Sequence, residues 1–254
     1  MDREEGKLTD YNSYKMQFKE KVLYTLICGA GIFVVAYIFY RSLIACVLLC
    51  PLALFYPRMK TTDIIIKRKS ELNIQFKDML YSLSSSLAAG KSVEMAFTDV
   101  RRDMSVIYPD DGTDIIKEIE CILRRLEMNE TIEGILFDFA QRSHLEDVEN
   151  FVDVFHTCKR TGGNIIEVIK NTSNIISDKI EIKQEIDTLL AQRRLEQRIL
   201  NAMPVGMVLI LTVSAEDYIA PVFSHPAGRA AMTAALLLLA LAFYISKKII
   251  DIRV

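Results

Sequence analysis

The stretch VLYTLICGAGIFVVAYIFY, residues 22–40, contains no charged side chain and decides the fold class. At 1.5 Å per residue, a helix of this length is about long enough to cross ~30 Å of hydrocarbon. A second apolar run, residues 43–56, follows directly after Arg41 and Ser42. That run is short for a membrane span and contains Pro51, but we interpret it as a span because it can form the second helix of a tight hairpin. A cleaved signal peptide is the competing interpretation, and the first run starts too late and is too long for one.

A matching pair of apolar runs lies near the other end of the chain, at residues 199–215 and 230–245. Pro204 and Gly206 lie near the start of the first of these runs, where a membrane helix tolerates them. Glu216 and Asp217 follow it directly, so we interpret them as interfacial, with an intramembrane proton site as the alternative. The sequence therefore predicts an all-α integral membrane protein with two transmembrane hairpins, residues 22–56 and 199–246.

Lysine and arginine are distributed unevenly around these four apolar runs. They cluster before the first run, after the second, before the third and after the fourth, whereas the two hairpin turns offer only Arg41 and Arg229. The positive-inside rule then predicts a multi-pass protein of the cytoplasmic (inner) membrane with both termini in the cytoplasm. The predicted cytoplasmic parts are an N-terminal segment (1–21), a central helical domain (57–198) and a tail (247–254).

The composition agrees with this separation of charged and apolar residues. The 254 residues have a mean hydropathy of +0.21 although 25% of them are charged, and the net charge is −2. Such a chain is not a simple soluble enzyme, a disordered chain or a disulfide scaffold, and its charge gives no indication of nucleic acid as a partner. The five cysteines form no CxxC pair, so we interpret them as reduced thiols and expect no zinc site.

The central region has the periodicity of consecutive helices. Apolar residues recur at helical spacing from Phe76 to Leu87 and from Val93 to Val100. Further helices are predicted at residues 114–126, 132–142, 144–160 and from 165 to about 198, and the last can continue into the membrane. A bundle of about six helices is large enough to bury its own core. The interleaved acids and bases at residues 179–185 are interpreted as a solvated face with spaced ion pairs.

Glycines and capping residues separate these helices. Gly90 is predicted to end one helix and Ser92 to cap the next, and Thr131 caps another. The glycine pair at residues 162–163 ends the helix before the last one, which starts with a capping pattern at residues 164–167. The sequence SHLE, residues 143–146, is also predicted to be a capping box.

No motif for catalysis or phosphate binding survives inspection. The sequence AGKS, residues 89–92, lacks the glycine that a phosphate loop needs five residues before Gly90, where Ser85 stands, and a helix pattern precedes it instead of a strand. TGGN, residues 161–164, could hold an anion at a helix start, but a turn is the simpler interpretation. No nucleophile motif or acid/base pair is recognisable. The sequence indicates no catalytic residue, no cofactor and no metal ligand.

The order of these features resembles the type II secretion system F domain family. Leu87-x-x-Gly90-x-Ser92-x-x-x-Ala96 is similar to its first signature, and TGGNIIEV, residues 161–168, to its second. RRLE, residues 193–196, before Pro204 resembles the helix that re-enters the membrane, and the end of the chain also fits. The order of features, with two apolar runs, an F domain and two further apolar runs, is similar to that of TadB-like platform proteins of the tight-adherence pilus. The residues matching family turns and caps are Gly90, Ser92, Gly162, Gly163, Asn164, Glu167 and Pro204.

This resemblance implies an inner-membrane platform for a type IV-like (Tad/Flp) pilus or a type II secretion machine. Such platforms are taken to couple a cytoplasmic hexameric ATPase to pilins that are lifted from the bilayer. The implied partners are this secretion/pilus ATPase, a sister TadC-like platform protein, pilin subunits and the lipid bilayer, in a homo- or hetero-oligomer. The resemblance implies no catalytic residues, so we expect no enzyme.

Two other hypotheses remain open. A membrane-anchored helical adaptor or sensor would recruit a cytoplasmic partner without moving substrate, so neither a pilin nor an ATPase would co-purify with it. A membrane enzyme with its site at Glu216 and Asp217 would lose function when both carboxylates are replaced by amides.

Overall fold

The computed structural model describes residues 10–13, 16, 18–41, 43, 47, 51, 53, 56–110, 112–215, 222 and 225–250. These residues contain eight long α-helices and no strand, so the all-α prediction is confirmed. In chain order the helices are α1 (Phe18–Tyr40), α2 (Tyr56–Ala88), α3 (Val93–Ile107), α4 (Asp114–Glu127), α5 (Ile132–Ser143), α6 (Glu146–Thr161), α7 (Ile165–Ser214) and α8 (Pro226–Ile250).

The chain divides into two compact units. We call Met1–Lys15 with Thr61–Ile182 the bundle unit, and Met16–Lys60 with Lys183–Val254 the apolar unit. The bundle unit contains α3 to α6 together with parts of α2 and α7. The apolar unit contains α1 and α8 together with the remaining parts of α2 and α7.

The bundle unit has one contiguous apolar core. Phe76 of α2 lies at its centre, with ring centroids 6.0 Å from Phe139 of α5 and 5.6 Å from Phe151 of α6. These separations are typical of favourable aromatic packing. The helical spacing seen in the sequence is confirmed by the burial of the side chains Phe76, Met79, Leu80, Leu83, Ala96, Phe97 and Val100.

Three predicted helix starts carry the expected caps. The side-chain oxygen of Ser92 accepts a hydrogen bond from the backbone N–H three residues further on at 3.3 Å. Thr131 makes the same contact at 3.4 Å, and Asn164 at 3.3 Å. Each contact satisfies one first-turn amide that the helix itself leaves unpaired, so these residues fix where α3, α5 and α7 begin.

The capping box predicted at residues 143–146 is wrong. Ser143 is the last residue of α5, and its hydroxyl donates to the carbonyl oxygen of Ala140 at 3.0 Å. His144 follows in the left-handed conformation, with φ 49°, and turns the chain. Leu145 therefore occupies the N-cap position of α6 without a side-chain cap, and the helix predicted from residue 144 begins at Glu146.

Helix α7 is much longer than its part in the bundle unit. It runs through 50 residues without interruption, which is about 75 Å at 1.5 Å per residue. Pro204 lies inside the helix and has no N–H to donate to the carbonyl oxygen of Leu200, yet the helix continues to Ser214. The continuation of the last bundle helix into an apolar stretch, which the sequence left open, is therefore observed.

Among the described residues, three helices are long and apolar enough to cross a membrane. They lie at Lys19–Tyr40, Ile165–Ser214 and Pro226–Ser246. In the helix at Lys19–Tyr40, only 11% of the most apolar stretch is buried inside the protein. In the other two helices, none of the most apolar stretch is buried. Apolar helices that the protein itself does not cover indicate a membrane protein. The predicted second arm, residues 43–56, falls mostly outside the described residues.

Within the apolar unit, α1 and α8 are in contact. The Tyr40 hydroxyl donates a hydrogen bond to the Thr233 hydroxyl oxygen at 3.1 Å. On α1, Ala36 and Phe39 are buried. The two outermost apolar helices of the chain therefore pack together although almost two hundred residues separate Tyr40 from Thr233.

Candidate functional site

The residues predicted from the family motifs lie at two helix junctions and inside α7. Gly90 and Ser92 join α2 to α3, the cluster at residues 162–167 joins α6 to α7, and Pro204 lies in the apolar unit. The pKa of Glu94 is held below its usual value by its own backbone N–H, by the Ser92 hydroxyl and also by the charge of Lys159.

The local geometry explains why both residues between α6 and Asn164 are glycines. Gly162 has a φ of 73°, in the left-handed region that favours glycine. Gly163 donates its N–H to the carbonyl oxygen of Cys158 at 2.9 Å, and a Cβ on it would lie 2.8 Å from the Cys158 sulfur. Asn164 then caps α7, and its side-chain amide also contacts the Glu167 carboxylate at 3.4 Å. These residues build a tight turn, as the sequence predicted.

The junction between α2 and α3 is also a turn. Gly90 has a φ of 81°. The ammonium group of Lys91 forms an ion pair with the Asp99 carboxylate, and this hydrogen bond is the main reason why the pKa of Asp99 lies below its usual value. This ion pair ties the turn between α2 and α3 to the body of α3.

A buried charged pair in the bundle unit was missed by sequence reasoning. The Glu118 side chain on α4 is buried, and both of its oxygens accept hydrogen bonds from the Arg142 guanidinium on α5, each at 2.7 Å. Arg142 also donates to Asp138 at 3.0 Å. Burial lowers the pKa of Arg142, but the hydrogen bonds and charges of Glu118 and Asp138 outweigh this effect and hold it above its usual value. Bidentate contacts of this kind fix the relative orientation of the two side chains in addition to pairing their charges.

The N-terminal segment contributes a buried tyrosine to this charged pair. Tyr11 is 1% exposed, and its hydroxyl donates to Glu118 at 2.7 Å while its backbone N–H donates to the carbonyl oxygen of Arg142 at 3.1 Å. The Arg68 guanidinium lies 5.0 Å from the Tyr11 ring centroid and binds Asp114 through two contacts of 2.6 Å. The pKa of Tyr11 is raised above its usual value, mainly by burial and also by the charge and the hydrogen bond of Glu118. Tyr11, which lies within the segment predicted as 1–21, therefore packs into the core of the bundle unit.

The charged network continues along α4 and α5. Asp138 accepts a second hydrogen bond, from Arg125 at 2.9 Å, and Arg125 also contacts Glu130 at 2.7 Å. Cys121 lies close by, and burial, followed by the charge of Glu118, raises the pKa of its thiol. A raised pKa disfavours the reactive thiolate. The network therefore links helices, and it offers no activated nucleophile.

A metal or proton site would need titratable side chains that lie close together. Across the part of the chain that the structure describes, no group of three or more His, Cys, Asp or Glu side chains could hold a metal ion. Cys28, Cys121 and Cys158 are free thiols, in agreement with the interpretation of the cysteines. Glu216 and Asp217, the alternative proton site, lie outside the described residues.

The fold and these contacts define an all-α membrane protein whose bundle unit is held together by an apolar core and a charged network. No model of a protein family, no curated protein and no solved structure matches the chain.

Proposed function

We propose that this protein is an inner-membrane platform of a type IV-like (Tad/Flp) pilus or of a type II secretion machine, which couples a cytoplasmic ATPase to pilin assembly. The observation that carries the proposal is the continuity of α7. This helix starts at the glycine turn of the bundle unit and runs on through an apolar stretch long enough for a membrane. A helix that continues without a turn from one unit into the other is suited to transmit displacement along its axis.

The proposal includes a topology. Residues 22–56 and 199–246 form two transmembrane hairpins, and both termini and residues 57–198 face the cytoplasm. The support comes from the basic residues that flank the apolar runs, such as Arg58 and Lys60 after the first hairpin and Arg193, Arg194 and Arg198 before the second.

In the proposed mechanism, the ATPase displaces the bundle unit and α7 passes the movement to the membrane. Two ion pairs join α2, α4 and α5: Arg68 with Asp114, and Arg142 with Glu118. A force on one of these helices therefore acts on all three. The membrane part of α7 then helps to move a pilin helix out of the bilayer. A sister TadC-like platform protein shares this task.

The coupling is tested by breaking α7 at Ile182. This side chain is 54% exposed, so Ile182→Ala removes little packing and is the matched control. Ile182→Pro removes a backbone hydrogen bond and distorts the helix at a cost of about 3 kcal/mol or more. We expect the proline variant to reach the membrane at the level of the alanine variant but to make no pili. Normal piliation by Ile182→Pro would falsify the coupling.

Partner identification separates this function from that of an adaptor or sensor. Crosslinking in intact membranes, followed by mass spectrometry, should recover a secretion ATPase and a pilin with the platform. An adaptor predicts other partners, so the repeated recovery of proteins that include neither would overturn the proposed function.

A further inference from the structure

Residues 10–13, which we call the N-terminal anchor, attach to the bundle unit through one side chain. Tyr11 is buried, whereas Asp10, Asn12 and Ser13 are exposed. The tyrosine is 1% exposed and belongs to the contiguous apolar core of the bundle unit. A segment that served only to cover the core would bury a row of apolar side chains. One buried aromatic residue between exposed polar neighbours is instead the pattern of an attachment point.

Three helices hold this tyrosine in place. Its hydroxyl donates to Glu118 of α4, its backbone N–H donates to the carbonyl oxygen of Arg142 of α5, and the guanidinium of Arg68 of α2 lies 5.0 Å from its ring centroid. The chain also makes a local turn here, because the Asn12 N–H donates to the Asp10 carboxylate at 2.9 Å. A pull on the N-terminal anchor therefore acts on α2, α4 and α5 together.

A short stretch of chain joins the N-terminal anchor to α1. Only four residues separate Ser13 from Phe18, the first residue of α1. The five steps between their Cα atoms, of about 3.4 Å each, span at most about 17 Å, so the connection has little slack. When the bundle unit is displaced by more than this slack, the anchor either leaves its site or pulls α1 along.

We propose that the N-terminal anchor is a second mechanical connection, through which the bundle unit pulls on α1 when it moves. The inference rests on the coupling role proposed above and extends it from α7 to α1. The two connections differ, because a continuous helix resists both compression and tension, whereas a short linker transmits tension only. The pull on α1 also reaches α8, since the Tyr40 hydroxyl donates to the Thr233 hydroxyl oxygen.

The test inserts the same flexible segment on either side of the N-terminal anchor. About twelve Gly and Ser residues placed after Ser13 add about 20 Å of slack between the anchor and α1 and leave Tyr11 unchanged. The same insertion directly before Asp10 is the matched control, because it does not lengthen the connection to α1. At equal protein levels in the membrane, the insertion after Ser13 should lower the number of pili per cell at least about fivefold, and the control should stay within about twofold.

Hydrogen exchange of the full chain in nanodiscs, measured by mass spectrometry, shows whether the anchor is engaged. The Tyr11 amide should be protected in the unmodified protein and in both insertion variants, and it should lose protection in Tyr11→Ala. Tyr11→Ala should also lose pili, whereas Tyr11→Phe keeps the ring in the core and should keep them. Rapid exchange of this amide in the unmodified protein would overturn the proposal.

Piliation separates the failure of this inference from the failure of the proposed function. Equal piliation by the two insertion variants would overturn the second connection. If Ile182→Pro still made no pili in that case, the coupling through α7 would stand, and only the role of the N-terminal anchor would be wrong.

Discussion

The Cys158 side chain leaves no room for a side chain at Gly163. A methyl group there would lie 2.8 Å from the Cys158 sulfur, well inside normal contact distance. We expect Gly163→Ala to lower the free energy of unfolding by about 1–3 kcal/mol, as overpacking typically does. In a Cys158→Ala background the added methyl has room, so its cost should fall below about 1 kcal/mol. Denaturant unfolding of the four variants measures this cycle, and an equal cost in both backgrounds would contradict the geometric explanation.

Tyr11 makes stability depend on pH in the alkaline range. In the unfolded chain its hydroxyl ionises near about pH 10, whereas burial and Glu118 raise the pKa in the folded protein. Above that pH the folded state holds more protons than the unfolded state, so stability falls as pH rises, by up to about 1.4 kcal/mol per pH unit. Tyr11→Phe should lack this component. Urea unfolding of both proteins at several alkaline pH values measures the difference, and parallel pH curves would show that Tyr11 is not the source.

At the scale of elements, the local signals predicted most helix boundaries. The starts of α3, α5 and α7 follow Ser92, Thr131 and Asn164, because a side-chain oxygen can satisfy a first-turn amide using residues close in sequence. The error at Ser143 has an equally local cause. The left-handed backbone of His144 ends α5, and residue type alone does not reveal such a conformation in a non-glycine residue.

Contacts between elements could not be predicted in this way. In the sequence, nothing distinguishes Glu118 and Arg142 from solvated charges. They meet only because α4 packs against α5, and Tyr11 joins them only because the chain before α1 packs on the same helices. Lys179 is exposed, as the sequence predicts for a solvated face, but its ion-pair partner Asp147 lies on α6, and this hydrogen bond raises the pKa of Lys179. The same reason explains why the sequence predicted the turn at Gly162 but not the charged network between α4 and α5. A turn is local, whereas contacts between two helices depend on how those helices pack.

At the scale of the whole molecule, one residue type occurs in two environments. Leu80 and Leu136 in the bundle unit are almost completely buried, whereas Leu237 and Leu238 on α8 are 65% and 66% exposed. Exposed apolar surface costs about 25 cal/mol per Å² in water and nothing comparable in hydrocarbon. The two units therefore suit two different solvents, and in the proposed topology the basic residues place the bundle unit on the cytoplasmic side of the membrane.

That orientation is tested by cysteine labelling in a variant from which the native cysteines have been removed. Met128, in the turn between α4 and α5, is 66% exposed, and Ala227 at the start of α8 is also exposed. With the bundle unit in the cytoplasm, a membrane-impermeant maleimide should label Ala227→Cys in intact spheroplasts but Met128→Cys only after permeabilisation. Labelling of Met128→Cys in intact spheroplasts would place the bundle unit outside the cell. An ATPase that hydrolyses cytoplasmic ATP could then not act on it, and the proposed coupling would fail together with the topology.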